Sequence, residues 1–492
     1  MFLGMSYVNG EYLPHRADFS KRNPSTGEEL GIFPTAGIGV VDSAVGAARQ
    51  AFKWWRKISR VKRAEYFDGL CQVLKENQSR VVRAISEETG KTVNEAVAEF
   101  NEALHMAQYT FGMGRLPVGQ ILPSEIADKD SYCIRKPKGV VAVIAPWNFP
   151  FAIGGFWCAC PAILEGNTVV LKPSEDAPKL GQLTAEMFQL AGFPAGVFNM
   201  IHGEGYTGDL LAKHEDVNHI CFTGSAAVGQ LIQKVCANSF HGKSCSCEMG
   251  SKSAMIICND CDLNMAVDAC VASAYKLSGQ RCVSAGRILV HSALMDRFLF
   301  AFLSRSQKLR VGDPLAEDID MGPIISESQR ESVEDFNRQS LENEFTQVIL
   351  SGERLDRPGY FLTPHVYTTK WHVQEKRPFL VKEAFGPHVA IVPFDDDEEA
   401  IAIYNDTPYG LSLGVCTSDY RRARKYQQEC DFGLGYFNLP CIGAESQVPF
   451  GGVKRSGNGQ PSAAGTFDAV VHKITWTVNN ACDGFQMAQG LK

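Results

Sequence analysis

Positive charge is in short supply: 48 Lys and Arg stand against 55 Asp and Glu, for a formal net charge of -7. No extended basic tract occurs, which argues against nucleic acid or an anionic membrane surface as partner. No stretch of roughly 18 uninterrupted apolar residues appears either, so no membrane-spanning helix is predicted. The opening "MFLGMSYVNGEYLPHR" has no basic segment ahead of a long apolar one, which predicts no signal peptide and a cytoplasmic protein. Repeats, low-complexity tracts and long linkers are missing too. Cysteine, in contrast, is plentiful: 16 residues, which in that compartment read as reduced thiols.

At 492 residues, with 45% hydrophobic and 21% charged residues, the chain predicts two or three globular domains. Between residues 139 and 260, β-branched runs ("GVVAVIAP", "NTVVLKPS", "GVFNMIHG", "VNHICFTGS", "SAMIICND") alternate with helical patterns. That alternation predicts an α/β fold with a doubly wound parallel sheet, whose ligands bind beyond the carboxyl ends of the strands. Residues 40–115 read as mostly helical. A second βα alternation over 262–455 ("GRILVHS", "HVAIVPF", "SLGVCTS") predicts another α/β domain. "SYCIRKPK" (131–138) and "AVVHKITWTVN" (469–479) read as extended, too polar for a core, and suited to pairing or to an intersubunit sheet.

Three local patterns carry chemistry. Cys245, Cys247, Cys258 and Cys261 have spacings near those of structural zinc sites, but the strand between the pairs would carry them apart, so no metal is expected. "GEGYTG" (203–208) matches G-x-G-x-x-G, yet the acidic residue expected about 20 positions later is absent, and a tight turn explains its glycines. "ICFTGSAAVG" is the better phosphate site: a strand, a turn at Gly224, and a helix start where backbone N–H groups and Ser225 meet a pyrophosphate. On an earlier strand, "LKPSE" brings Lys172 and Glu175 to the strand end. There a carboxylate accepts both adenine-ribose hydroxyls and repels a 2′-phosphate, favouring NAD over NADP.

Four motifs in order, "PWNFP" (146–150), "CEMGSKSA" (247–254), "SGQRCVSAGR" (278–287) and "EAFGP" (383–387), with "PFGGVKRSGNG" (449–459) behind them, resemble the NAD(P)-dependent aldehyde dehydrogenase superfamily over nearly the whole chain. The resemblance implies a Rossmann-like dinucleotide-binding domain (1–117 and 139–250), a catalytic domain (251–455) and oligomerisation segments (118–138 and 463–485) that join a homodimer or homotetramer. It implies Cys282 as nucleophile, Glu248 as the base that activates water, and Asn148 with the Cys282 N–H as oxyanion hole. Without a base at 248, transfer of the acyl group to coenzyme A would be the better reading. Lys172, Ser174 and Glu175 would hold the adenine ribose, Gly224 and Ser225 the pyrophosphate with Trp147 nearby, Glu383 the nicotinamide ribose, and Phe385 would lie beside the nicotinamide. Phe149, Phe156, Phe450 and the loop 438–447 would line the mouth for a small aldehyde, with Glu445 as a polar handle.

Two departures from the resemblance stand out. Many hydrolytic members carry a lysine nine residues after the asparagine, where this chain has Trp157, and an acidic residue where it reads Gln460-Pro461. The flavour of residues 122–153 is similar to the amino-acid semialdehyde branch (glutamate or aminoadipate semialdehyde). Two other classes compete. A dinucleotide-binding protein without chemistry is argued against by intact Cys282, Asn148 and Glu248. A thiol hydrolase is argued against by "CVSAG", which lacks cysteine-protease signatures.

Overall fold

A computed structural model describes residues 2–14, 18–371, 378–459 and 461–486. The first sheet has seven strands, in the order Ser244–Glu248, Val217–Thr223, Val140–Ile144, Thr168–Lys172, Phe198–Met200, Ser6–Val8 and Glu11–Leu13. The first five run parallel, and the N-terminal hairpin adds the last two antiparallel. Central strands such as Val140–Ile144 and Thr168–Lys172 are almost wholly buried, because helices cover both faces of a parallel sheet. Strand order reverses beside Val140–Ile144, and the crevice that opens there lies beyond the strand ends.

The helices Ile38–Trp55, Arg60–Glu76, Gln78–Thr89 and Val93–Met113 bear out the helical reading of residues 40–115. Local signals explain their ends. Thr92 and Glu95 close a reciprocal capping box at the last of them, and Gly90 ends the third with φ +77°.

The second sheet orders Thr346–Leu350, His365–Thr369, His388–Phe394, Arg287–His291, Ala254–Ile257, Ser412–Cys416 and Leu434–Phe437. One expectation needs correction here. "SAMIICND" does not continue the first sheet, since Ala254–Ile257 is central to the second. The first sheet instead ends on Ser244–Glu248, "SCSCE", a strand that its sequence hides because alternating Ser and Cys carry little β signal. A third sheet pairs Lys129–Pro137 antiparallel with Val471–Asn479 on one side and Gln120–Leu122 on the other. The two polar segments therefore do pair, within one chain.

Candidate active site

The crevice of the first sheet opens into a cleft of about 610 Å³. At its outer end Lys172 closes a strand, and its Nζ lies 3.1 Å from Glu175 Oε2. Burial pushes the Lys172 ammonium below the usual lysine range, with Glu175 opposing. Ser225 caps the helix Ala226–Ala237 by accepting from the Val228 N–H at 3.3 Å. The same helix turns Val228, Leu231, Ile232 and Val235 into the cleft. Gly224 has no room for a side chain, since a Cβ would sit 2.6 Å from the Phe222 ring; its N–H donates to the Glu248 carbonyl at 3.0 Å. Gly205 and Gly208 of the discounted "GEGYTG" line the cleft as well.

Glu248 ends the edge strand at the inner end of the cleft, and loop 456–458 clamps that strand. Cys247 N–H donates to Asn458 Oδ1 (2.8 Å) and Met249 N–H to the Ser456 carbonyl (2.8 Å). Both Glu248 carboxyl oxygens are buried without a hydrogen-bond partner. Burial therefore pushes this carboxyl well above the usual carboxylate range. Cys282 follows a turn in which Leu277 and Ser278 are left-handed (φ +57° and +53°). Such backbone is held only by surrounding contacts. Leu277 N–H donates to Glu95 Oε1 (2.7 Å), Ser278 Oγ to the Gly322 carbonyl (2.7 Å), and the Ser251 hydroxyl to the Cys282 carbonyl. Burial raises the Cys282 thiol, and the carboxyls of Glu383 and Glu248 raise it further. Asn148 is fixed by donating from Nδ2 to the Gln280 carbonyl at 3.2 Å.

Glu383 presses on Gly250, where a Cβ would lie 2.3 Å from its Oε2. Burial pushes Glu383 up to about 8, opposed by the Ser251 N–H and Lys252. Phe385 takes φ +54° and meets Trp147 edge-on at 5.1 Å. Sequence reasoning missed Gln329, whose Nε2 donates to the carbonyls of Ala384 (3.2 Å) and Phe385 (3.1 Å) and so holds this strained turn. It sits on the polar helix Glu327–Leu341, where no local pattern singles it out.

Among the three aromatic residues assigned to the substrate mouth, Phe149 is flanked by charge. Lys91 Nζ lies 3.9 Å and Arg281 Cζ 5.2 Å from its ring centroid. Lys91 is paired with Glu99, whereas Arg281 Nε is buried with no partner. Phe450 packs on Trp157 at 5.6 Å. Phe156 is a correction: it is fully buried among Phe151 (4.9 Å) and Phe188 (5.9 Å), inside the core rather than at a mouth. The cause is the helical form of Pro150–Cys158, which is π rather than α. Wider winding shifts the facing residue by about one position. Trp157 consequently turns into the core. Gln460 lies outside the described residues, in which no cluster of three or more His, Cys, Asp or Glu is placed to hold a metal.

A parallel-sheet crevice with a thiol, an unpartnered carboxyl and a fixed amide at its inner end defines the class: a dinucleotide-dependent oxidoreductase working through cysteine. The model of the aldehyde dehydrogenase family matches residues 12–475, and the chain belongs to that family. It is 33% identical over 460 residues to the alpha-ketoglutaric semialdehyde dehydrogenase of Bacillus subtilis, covering 92% of this chain and 93% of that one. It is 32% identical to the NADP(+) succinate-semialdehyde dehydrogenase of Escherichia coli, covering 94% of each. Among solved structures, the betaine aldehyde dehydrogenase of Staphylococcus aureus in complex with NAD+ superposes with a TM-score of 0.92 at 28% identity, covering 99% of this chain and 96% of that one.

Proposed function

We propose that this protein oxidises an aldehyde to its carboxylic acid with NAD, through a thioester on Cys282. The observation that carries the reading is the single cleft on which Lys172, Glu175, Ser225, Asn148, Glu248 and Cys282 all open. The chain's residues fit a dinucleotide. The Lys172–Glu175 pair suits the adenosine ribose, the free N–H groups after Ser225 suit the pyrophosphate, and Glu383 suits the second ribose. NAD supplies a hydride acceptor when bound.

The remaining chemistry is the chain's own. The Cys282 sulfur adds to the aldehyde carbon, and the thiol proton ends on the former carbonyl oxygen. Asn148 Nδ2 and the Cys282 N–H stabilise the negative charge developing on that oxygen, at roughly 3 kcal/mol per donor. Loss of hydride and of the oxygen-bound proton leaves the thioester. Glu248, once ionised, takes a proton from water, whose oxygen attacks the thioester carbon; the C–S bond breaks, and the carboxylate and the Cys282 thiol are released.

Arg281 favours a substrate that carries its own carboxylate. A guanidinium with a buried, unpartnered Nε, one residue from the nucleophile and against the Phe149 ring, keeps a donor for such a group beside the Glu102 carboxyl that it also faces. This supports the semialdehyde reading. The three-stranded arm bares Ile121 (76% exposed) and Trp476 (61%), apolar surface that a second copy of the chain would cover, which supports a homo-oligomer. The test is NADH formation with a panel of aldehydes. Semialdehydes bearing a carboxylate should surpass uncharged aldehydes of equal length, and Arg281→Met should erase that advantage. No NADH with any aldehyde would refute the function; no difference between the two sets would refute the substrate class.

A further inference from the structure

The helix Val93–Met113 carries two buried carboxylates one turn apart, Glu95 (6% exposed) and Glu99 (0%), so both leave the same face. Each reaches a different loop. Glu95 Oε1 accepts from the Leu277 N–H at 2.7 Å, the left-handed residue that opens the turn into Cys282. Its Oε2 accepts from the Thr92 N–H at 3.1 Å. Glu99 Oε1 accepts from the N–H groups of Phe151 (2.9 Å) and Ala152 (3.2 Å), two of the free donors at the start of the π-helix Pro150–Cys158. Its Oε2 pairs with Lys91.

These two loops carry the reacting groups, Asn148 just before Phe151 and Cys282 just after Leu277. At the site itself they touch through the bond from Asn148 Nδ2 to the Gln280 carbonyl. One contact between loops does not fix their separation, whereas two anchors on one rigid helix do. Lys91 adds to the hold, because its ammonium lies 3.9 Å from the ring centroid of Phe149, the residue that follows Asn148. The loop assigned to the mouth is tied to the same helix, since Ser446 Oγ donates to the Glu102 carbonyl at 3.2 Å. Hydrogen bonds to a carboxylate are roughly twice as strong as neutral ones, which suits acceptors that must hold left-handed and unwound backbone.

Resting on the aldehyde-oxidising function, we propose that Glu95 and Glu99 are positioning residues: the helix turn between them sets how far the Cys282 loop stands from the Asn148 loop, so that sulfur and amide meet one carbonyl group. The sulfur arrives at its carbon and the amide at its oxygen. Neither carboxylate lines the cleft, so neither touches aldehyde or dinucleotide. Releasing either anchor therefore slows thiol addition, and with it the first hydride loss, while the dinucleotide still binds. A shift of about 1 Å in such an arrangement costs on the order of 10²-fold in rate.

The test is the single-turnover rate of NADH formation in the full-length enzyme, with NAD affinity by fluorescence quenching as the check on folding. Glu95→Ala should slow that rate by roughly 10²-fold at unchanged NAD affinity. Glu95→Gln keeps an acceptor for the Leu277 N–H and should recover most of the loss. Removing Glu99 alone would strand the buried Lys91, so its comparison is Lys91→Met with Glu99→Gln against Lys91→Met with Glu99→Leu. The leucine variant, which leaves the Phe151 and Ala152 N–H groups without an acceptor, should be the slower by roughly 10²-fold. In an Asn148→Ala background that difference should shrink to within about threefold, because the amide being positioned is gone. If the alanine or leucine variant loses NAD binding, Glu95→Asp and Glu99→Asp keep the charge, draw the acceptor back by one methylene, and should slow the rate at intact affinity. An unchanged rate in the folded variants overturns the inference. So does an equal loss with and without Asn148, which would make Glu99 merely structural. No NADH from the unmodified enzyme with any aldehyde refutes the oxidation instead.

Discussion

Replacing Glu175 tests how the chain chooses its dinucleotide. Its side chain is 42% exposed and paired at 3.1 Å with Lys172, which is 5% exposed. At that exposure a water-like dielectric applies, giving about 1 kcal/mol per pair of unit charges at about 4 Å. A 2′-phosphate carries about -1.5 to -2, so repulsion amounts to about 1.5–2 kcal/mol. Losing a ribose-hydroxyl hydrogen bond to a charged acceptor costs roughly 1.5–3 kcal/mol more. The sum, about 3–5 kcal/mol, corresponds to a preference for NAD of roughly 10²- to 4 × 10³-fold, at about 1.4 kcal/mol per decade. Glu175→Ala removes both contributions and frees the Lys172 ammonium for a phosphate. The preference should then fall to within about tenfold or reverse, measured as kcat/KM for each cofactor under saturating aldehyde. The NADP-dependent relative from E. coli shows that neither outcome is given by family membership alone. Equal efficiency with both cofactors in the unmodified enzyme would refute the reasoning.

Cys282→Ala should abolish aldehyde oxidation while NAD binding, followed by fluorescence quenching, survives; retained activity would remove the nucleophile from the mechanism. Glu248→Gln should keep the burst of NADH and lose about 10²-fold or more in steady turnover, the scale of a missing general base. Loss of the burst as well would mean that Glu248 is needed to ionise Cys282. Light scattering at micromolar concentration should give a dimer or tetramer, and a clean monomer would leave the exposed Ile121 and Trp476 without the partner argued for them.

The legible parts of the molecule are those whose burial is written as composition. Val140–Ile144 and Thr168–Lys172 are apolar because both faces are covered, and the residues just beyond the carboxyl ends of the parallel strands include Asn148, Glu175 and Ser225. The edge strand Ser244–Glu248 escapes because its burial rests on a clamp from residues 456–458, a contact between distant segments. Counting nine residues from Asn148 leads to Trp157, since counting assumes α-helical winding and a π-turn leaves no trace in composition. Arg281 stands inside a recognisable motif, but only its unpartnered Nε marks it out, and hydrogen-bond partners are a property of packing. The N-terminal hairpin is invisible for a simpler reason: its strands are too short for periodicity to register.

The pairing of Lys129–Pro137 with Val471–Asn479 has a consequence for how the chain is made. Ser131 and Thr477 face each other across that ladder although 346 residues separate them. At roughly 5–20 residues per second of synthesis, the first strand waits roughly 20–70 s for its partner to be translated. Until then the long strand can pair only with the short Gln120–Leu122, and the opposite edge stays open. Neighbouring nascent chains on one messenger would offer the same edge at the same moment. The interval before residue 471 emerges is thus when this protein is most exposed to mispairing, and slowing translation downstream of residue 137 should lower its soluble yield.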